Sequence, residues 1–234
     1  MTTTRTVTLS APDGGTFAGH LAVPDAGSGP GLLVLQEIFG VNDYIRDVCD
    51  RLAAMGYAAM APDVFWRVEP GVSLGGSEAD IATGAGYVGR LDMDQVVADL
   101  GAALTQLREL PESDGRAGVI GFCFGGSTTF RVASRLEPDV AVSYYGSGVG
   151  SMLDDGAAIT CPLLFQYGSD DPFIPPDEIE AVREFAAERA NVDFHTHDAG
   201  HAFDNHRSAM FSNPVAAAAA WEVTSAFLAE HLPV

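Results

Sequence analysis

The sequence predicts an α/β fold with a mostly parallel central sheet and helices on both of its faces. Apolar runs such as those at 31–35 and 118–122 are typical of strands that are buried on both sides. Amphipathic segments, of which 92–110 is the clearest, separate these runs along the chain. Strands that alternate with helices favour parallel pairing through crossover connections. From the length of 234 residues we expect a single domain over 1–234.

The predicted strands and helices follow one another with short turns between them. Polar and apolar residues alternate at 6–9 and 17–23 around Asp13-Gly14-Gly15, which predicts an antiparallel hairpin. Apolar runs predict the other strands, at 31–35, 57–62, 118–122, 140–145, 162–167 and 192–195. Apolar periodicity and capping residues predict helices from Asn42 or Asp43 to about 56 and at 92–110, 127–136, 176–190 and 214–231.

Residues 63–90 interrupt this alternation. The apolar pattern weakens there and glycines accumulate. Long connections without regular structure are commonly functional loops that lie over a site. We therefore predict a lid-like segment at about 63–90 rather than a second domain.

The composition excludes several classes of partner. The chain carries 32 acidic residues against 12 cationic ones, all of them arginine, for a formal net charge of −20. Such a surface repels nucleic acid and anionic membranes, so we expect neither as a partner. No apolar run is long enough to span a bilayer, and the polar start MTTTRTVTLS is not typical of a signal peptide.

The cysteines indicate a reducing environment. Cys49, Cys123 and Cys161 are irregularly spaced, which fits neither a disulfide framework nor a zinc site. We therefore expect a cytoplasmic protein, either a monomer or a small homo-oligomer.

The stretch around Cys123 has the pattern of a nucleophile elbow. In Gly121-Phe122-Cys123-Phe124-Gly125 a cysteine stands where the G-x-S-x-G motif has serine, directly after an apolar run. A sharp strand-to-helix turn crowds the neighbouring Cβ atoms, so glycines are needed on both sides. The following helix would begin beside the sulfur, and its dipole favours a thiolate. The alternative is a small buried thiol near a glycine-rich turn.

A thiol nucleophile needs a base and an acid that orients the base, and both follow in the order nucleophile, acid, histidine. Asp170 and Asp171 come just after the strand predicted at 162–167, and we prefer Asp171 because Asp170 suits a turn or cap. His201 lies in a glycine-containing loop before the last helix. The oxyanion contacts are expected from the amide of Phe124 and from the loop after the strand at 31–35.

The other histidines offer a weaker alternative. His195 and His197 alternate along a predicted strand and, with His201, suggest a metal cluster. No carboxylate at suitable spacing completes such a cluster. We therefore expect no metal and no cofactor.

Several motifs in register give the chain a close resemblance to the dienelactone hydrolase family, from the N-terminal hairpin to the last helix. They are QEIFGVN at 36–42, APD at 61–63, PG at 70–71, LDMD at 91–94, GFCFGG at 121–126, YYG at 144–146, GSDDPFIP at 168–175 and AGHAF at 199–203.

The resemblance implies an α/β-hydrolase fold and a triad of Cys123, Asp171 and His201. It also implies oxyanion donors at the amides of Ile38 and Phe124. In the family a carboxylate at the position of Glu37 shares the thiol proton in the resting enzyme. A desolvated carboxylate after a buried strand is basic enough for this role, whereas the alternative for Glu37 is a structural ion pair.

The chain departs from the family in the arginine pair that holds a substrate carboxylate. The lid region at 78–84 has no arginine and the next one is Arg90, while Asn205 stands where the family has its second arginine. Tyr87 matches a tyrosine of the family's lid. We therefore predict Tyr87, Arg90 and Asn205 as substrate-binding positions, with a weakened anion clamp.

The predicted activity is hydrolysis of an ester or lactone through an acyl-thioenzyme, with a small-molecule substrate. One alternative is an esterase or thioesterase of the same fold that acts on neutral substrates. Another is a non-catalytic protein that uses Cys123 as a redox-sensing thiol. The presence of Glu37, Asp171 and His201 together argues against the sensor, because a sensor needs only the thiolate.

Overall fold

Eight strands form a mixed sheet in the computed structural model, which describes residues 3–234 of the chain. The strands are β1 (Thr3–Ser10), β2 (Thr16–Val23), β3 (Gly29–Leu35), β4 (Ala58–Pro62), β5 (Ser113–Phe122), β6 (Ala141–Tyr144), β7 (Leu163–Gly168) and β8 (Val192–His197). Their order in the sheet is β1-β2-β4-β3-β5-β6-β7-β8. The first two residues of the polar start lie outside the described residues.

Six α-helices and one 3₁₀ helix connect these strands within the described residues. The helices are α1 (Asp43–Ala54), α2 (Glu78–Val88), α3 (Met93–Glu109), α4 (Phe124–Arg135), α5 (Pro176–Ala187) and α6 (Pro214–His231), and the 3₁₀ helix covers Val149–Ala158. Strand β2 pairs antiparallel with β1 and β4, whereas β3 pairs parallel with β4, and β7 pairs parallel with β6 and β8. The predicted α/β fold class with a mostly parallel sheet is confirmed.

Backbone contacts divide the described chain into two compact units. The first unit runs through Val119 and includes Val234, and the second unit is Ile120–Pro233. Strand β5 begins in the first unit and ends in the second. A single domain over 1–234 stays a prediction.

The core of the first unit lies around β3 and β4. Every residue of β4 is buried, and Leu32, Leu33 and Val34 of β3 are completely buried. Helix α1 packs its buried face against these strands. Asn42, one of the two predicted cap residues, caps α1 by accepting a hydrogen bond from the Ile45 N–H at 3.2 Å. These contacts hold the loop that follows β3.

The core of the second unit is rich in aromatic rings. Phe122 at the end of β5 packs on Tyr144 of β6, with 4.8 Å between ring centroids. Phe130 of α4 packs on Phe165 of β7 at 6.1 Å. All four side chains are completely buried. Aromatic pairs at such separations are among the stronger apolar contacts, so they fix the ends of β5, β6 and β7 relative to α4.

The differences from the sequence prediction that bear on the site concern α4, β5 and α2. Helix α4 begins at Phe124 rather than at 127, because the chain turns directly from strand to helix at Cys123. Strand β5 begins at Ser113, inside the turn predicted at 111–116. Helix α2 was not expected within 63–90, where its apolar pattern is weak. A capping box between Ser77 and Asp80 starts this helix.

None of the helices within residues 3–234 has both the length and the apolar character needed to cross a bilayer.

Candidate active site

Cys123 lies at the turn from β5 into α4. Its backbone has φ 55° and ψ −115°, a strained conformation for a residue with a side chain. Its N–H donates to the Tyr144 carbonyl at 3.0 Å, which fixes the turn to β6. A Cβ at Gly121 would lie 2.1 Å from the Gly125 carbonyl oxygen, so glycine is required there. The turn leaves the thiol half-buried at the N-terminus of α4.

Asp171 follows the end of β7, and its side chain is fully buried. One carboxylate oxygen lies 2.7 Å from Nδ1 of His201. The other oxygen accepts the Phe173 N–H at 2.8 Å. Asp170, the alternative acid, is exposed. Both oxygens of Asp171 are therefore engaged, and the carboxylate is held in one orientation toward the imidazole.

His201 stands between the acid and the thiol. Burial of the imidazole alone lowers its pKa, but hydrogen bonds to Asp171 and to Cys123, together with their negative charges, raise the pKa to about 10. The site therefore stabilises the protonated form of His201 beside Asp171 and Cys123. Such an imidazolium can supply a proton to a leaving group.

The other two cysteines differ from Cys123 in burial. Burial raises the pKa of Cys49 far above its usual value, and it raises that of Cys161 to about 11. Thiols of this kind form little thiolate at neutral pH. Cys123 is therefore the cysteine whose surroundings suit a nucleophile.

Aromatic rings surround His201, and none of them was predicted as a site residue. The centroids of the Tyr145, Phe173 and Phe211 rings lie 5.3, 5.2 and 6.4 Å from that of the imidazole. Tyr145 is completely buried and has a positive φ of 38°. Ala202, the residue after the histidine, also has a positive φ, of 52°. Tyr145, Phe173 and Ala202 each lie in one of the motifs that carry the family resemblance, whereas Phe211 had no sequence signal.

In the first unit, Glu37 and Ile38 follow the end of β3, and Glu37 is buried. The preceding Gln36 accepts the Val64 N–H at 3.2 Å, which ties the start of this loop to the chain after β4. A Cβ at Gly84 of α2 would lie 2.2 Å from the Ile38 carbonyl oxygen. Helix α2 therefore packs directly against the backbone of Ile38.

The predicted substrate-binding residues lie in two places. In the first unit the Arg90 guanidinium lies 5.2 Å from the centroid of the Tyr87 ring, and that ring is 5.7 Å from Phe65. In the second unit Asn205 is buried, and its side-chain oxygen accepts the Arg207 N–H at 3.1 Å. Asn205 therefore stabilises the turn after the histidine.

The structure brings three predicted site residues together in the second unit, namely Cys123, Asp171 and His201, with Phe124 next in the chain. Glu37, Ile38, Tyr87 and Arg90 belong to the first unit. Within residues 3–234, no group of three or more His, Cys, Asp or Glu side chains is arranged to hold a metal ion.

Comparison with known proteins identifies relatives over most of the chain. Residues 17–232 match the model of the dienelactone hydrolase family. The chain is 32% identical to a carboxymethylenebutenolidase of Pseudomonas sp. (strain P51), over 89% of this chain and 88% of the relative. It is 35% identical to a putative carboxymethylenebutenolidase of Azospirillum brasilense, over 97% and 98%. The structure of a putative dienelactone hydrolase from Klebsiella pneumoniae superposes with a TM-score of 0.82 at 29% identity, covering 97% and 99% of the two chains.

Proposed function

Because the chain belongs to the dienelactone hydrolase family, a family of hydrolases acting on ester and lactone bonds, we propose that it uses the thiol of Cys123 as nucleophile. The observation that carries this proposal is the position of His201, 2.7 Å from Asp171 and hydrogen-bonded to Cys123. A base held between an acid and a thiol is the arrangement that covalent acyl transfer requires.

The proposed reaction has two steps. The Cys123 thiolate attacks the carbonyl carbon of the substrate, and His201 gives its proton to the leaving oxygen as the acyl–oxygen bond breaks. Water then attacks the resulting thioester, His201 takes one proton from it, and the carbon–sulfur bond breaks to restore the thiolate. Water and ester are thereby converted to acid and alcohol. Asp171 keeps His201 in the tautomer that this transfer needs.

The oxyanion contacts of this mechanism come from the family resemblance, which assigns them to the amides of Phe124 and Ile38. Phe124 is the first residue of α4, so its amide lies at the positive end of the helix dipole. Backbone N–H groups at such a position stabilise the negative oxygen of a tetrahedral intermediate.

Kinetics with p-nitrophenyl acetate tests the proposal. We expect a burst of p-nitrophenol equal to the enzyme concentration, followed by steady turnover. Release of a single equivalent without turnover would instead support a reactive-thiol sensor.

We also propose that Glu37 promotes formation of the Cys123 thiolate. Glu37→Gln removes the basic carboxylate, so we expect slower alkylation of Cys123 by iodoacetamide at neutral pH, by about tenfold, the effect of a pKa change of about one unit. The stability of the Glu37→Gln variant, measured by thermal unfolding, should change less than its alkylation rate does. Glu109→Gln, which alters an exposed glutamate at the end of α3, serves as the control. An unchanged profile of alkylation rate against pH would leave Glu37 as a structural residue.

The position of Asn205 supports a second candidate function, which is hydrolysis of a neutral substrate. Its side-chain oxygen is engaged in the turn after the histidine, where the family has an arginine. A charge-assisted hydrogen bond contributes about 1.5–3 kcal/mol, so loss of two such contacts weakens binding of an anionic transition state about a hundredfold or more.

The prediction is that the methyl ester of a dienelactone reacts at least as fast, in kcat/KM, as the free acid. Both substrates would be compared at low and high salt, since salt screens the repulsion from the acidic surface. A preference for the free acid that is lost in Arg90→Ala or Arg207→Ala would show that a relocated clamp exists.

The remaining proposals concern the kind of substrate and the location of the enzyme in the cell. The substrate is a small molecule, and a cytoplasmic location keeps Cys123 reduced. All three cysteines are free in the described chain.

A further inference from the structure

An exposed apolar surface lies beside His201. Phe173 and Phe211 form it, Met210 precedes Phe211 in the chain, and we refer to these three residues as the aromatic edge. Phe173 is 51% exposed and Met210 is 57% exposed. Only two other large apolar side chains of residues 3–234 are as open to solvent, Val215 and Val234. Exposed apolar side chains are costly in water, and a group of them beside a reactive residue indicates a binding surface.

The rings of the aromatic edge contact the imidazole directly. Phe173 meets His201 edge-to-face at 5.2 Å, and Phe211 meets it edge-to-face at 6.4 Å. The two phenylalanine rings lie 6.3 Å apart, also edge-to-face. Two phenylalanine rings therefore border His201 at a place where half of the Phe173 side chain still faces solvent.

The geometry of the proposed reaction determines which part of a substrate lies next to these rings. His201 gives its proton to the oxygen of the leaving alcohol, so that oxygen must come within hydrogen-bond distance of the imidazole. The carbon chain attached to the oxygen then lies next to the side chains that border the imidazole. Those side chains include Phe173 and Phe211.

We propose that the aromatic edge binds the alcohol part of an ester and selects substrates with an apolar alcohol group. This inference rests on the proposed function, because it uses the same thiol and imidazole. The Asp171 carboxylate is not open to a polar alcohol, because its side chain is fully buried against His201 and the Phe173 N–H. After the histidine, the polar side chains of Asp204 and Asn205 are both buried, and the Asn205 oxygen is engaged in its own turn.

The test compares two acetates with similar chain lengths. Hexyl acetate carries an apolar alcohol, whereas methoxyethoxyethyl acetate carries ether oxygens in a chain of similar length. We expect the wild type to prefer hexyl acetate in kcat/KM. Phe211→Ala removes an apolar contact, and the area of part of one ring corresponds to about a fivefold to tenfold loss for hexyl acetate. The ether ester should lose about twofold or less.

Val215→Ala is the matched control. It also shortens an exposed apolar side chain, with 82% exposure, but Val215 belongs to the first turn of α6 and not to the aromatic edge. We expect its ratio of the two kcat/KM values to equal that of the wild type. Thermal unfolding of Phe211→Ala separates a loss of the fold from a loss of selectivity. Met210→Ser provides a second variant at a side chain that already faces solvent.

Equal losses for the two esters in Phe211→Ala would contradict the inference, because Phe211 would then only position His201. Unchanged rates for both esters would contradict it as well. Sedimentation velocity tests whether a second copy of the chain, rather than a substrate, occupies the aromatic edge. A dimer of the wild type that dissociates in Met210→Ser would show that a second copy of the chain covers the aromatic edge. Hydrolysis that survives Cys123→Ala would instead overturn the proposed function itself.

Discussion

Replacement of Cys123 by alanine is expected to lower kcat/KM for p-nitrophenyl acetate by about ten-thousand-fold or more, as loss of a triad nucleophile does. The thiolate is the group that forms the covalent intermediate, and no other side chain takes its place at the start of α4 in the proposed mechanism. The fold should persist, because alanine fits the turn and the backbone N–H still donates to Tyr144. Thermal unfolding checks this point.

Cys161→Ala is the control for the Cys123 variant, because Cys161 is buried and its pKa is raised. Its activity should stay close to that of the wild type. Loss of activity in Cys161→Ala together with full activity in Cys123→Ala would show that the nucleophile lies elsewhere.

Replacement of Asp171 by asparagine is expected to lower kcat about ten-thousand-fold, the cost of a wrong histidine tautomer in a triad. An amide in place of the carboxylate can donate to Nδ1, which turns the imidazole proton toward the thiol side. Without the carboxylate, one cause that raises the pKa of His201 is lost, so that pKa should fall from about 10 toward or below its usual value. The imidazolium would then lose its proton at a lower pH. NMR titration of the imidazole measures this change.

Asp170→Asn is a closely matched control, since it changes an exposed aspartate one position earlier. Near-normal activity is expected for this variant. If Asp170→Asn lost activity and Asp171→Asn kept it, the hydrogen bond between Asp171 and His201 would have no part in catalysis.

Much of the fold could be predicted because its elements rest on local patterns. Buried runs predicted β3 and β4, and helix α6 begins and ends where its apolar segment does. Helix α2 could not be predicted in this way, because a capping box rather than an apolar stripe starts it. The early start of α4 depends on the strained turn at Cys123, whereas the sequence prediction began this helix at 127.

The candidate site, like the fold, could be predicted only in part. The choice of Asp171 over Asp170 used turn chemistry, and Asp171 is the aspartate that bonds His201 in the structure. The rings around His201 could not be foreseen, because Tyr145, Phe173 and Phe211 come from separate parts of the chain. The positive φ angles at Tyr145 and Ala202 are tertiary effects in residues that rarely adopt them.

In the proposed mechanism an acyl group passes through the sulfur of Cys123. Rapid acid quenching during turnover of p-nitrophenyl acetate, followed by mass spectrometry of the proteolytic peptides, tests it directly. We expect an acetyl group on the peptide that contains Cys123, removed by hydroxylamine as a thioester is, and no such adduct in Cys123→Ala. An acetyl group on another residue, or full turnover without any adduct on this peptide when deacylation is slowed by low temperature, would contradict this mechanism.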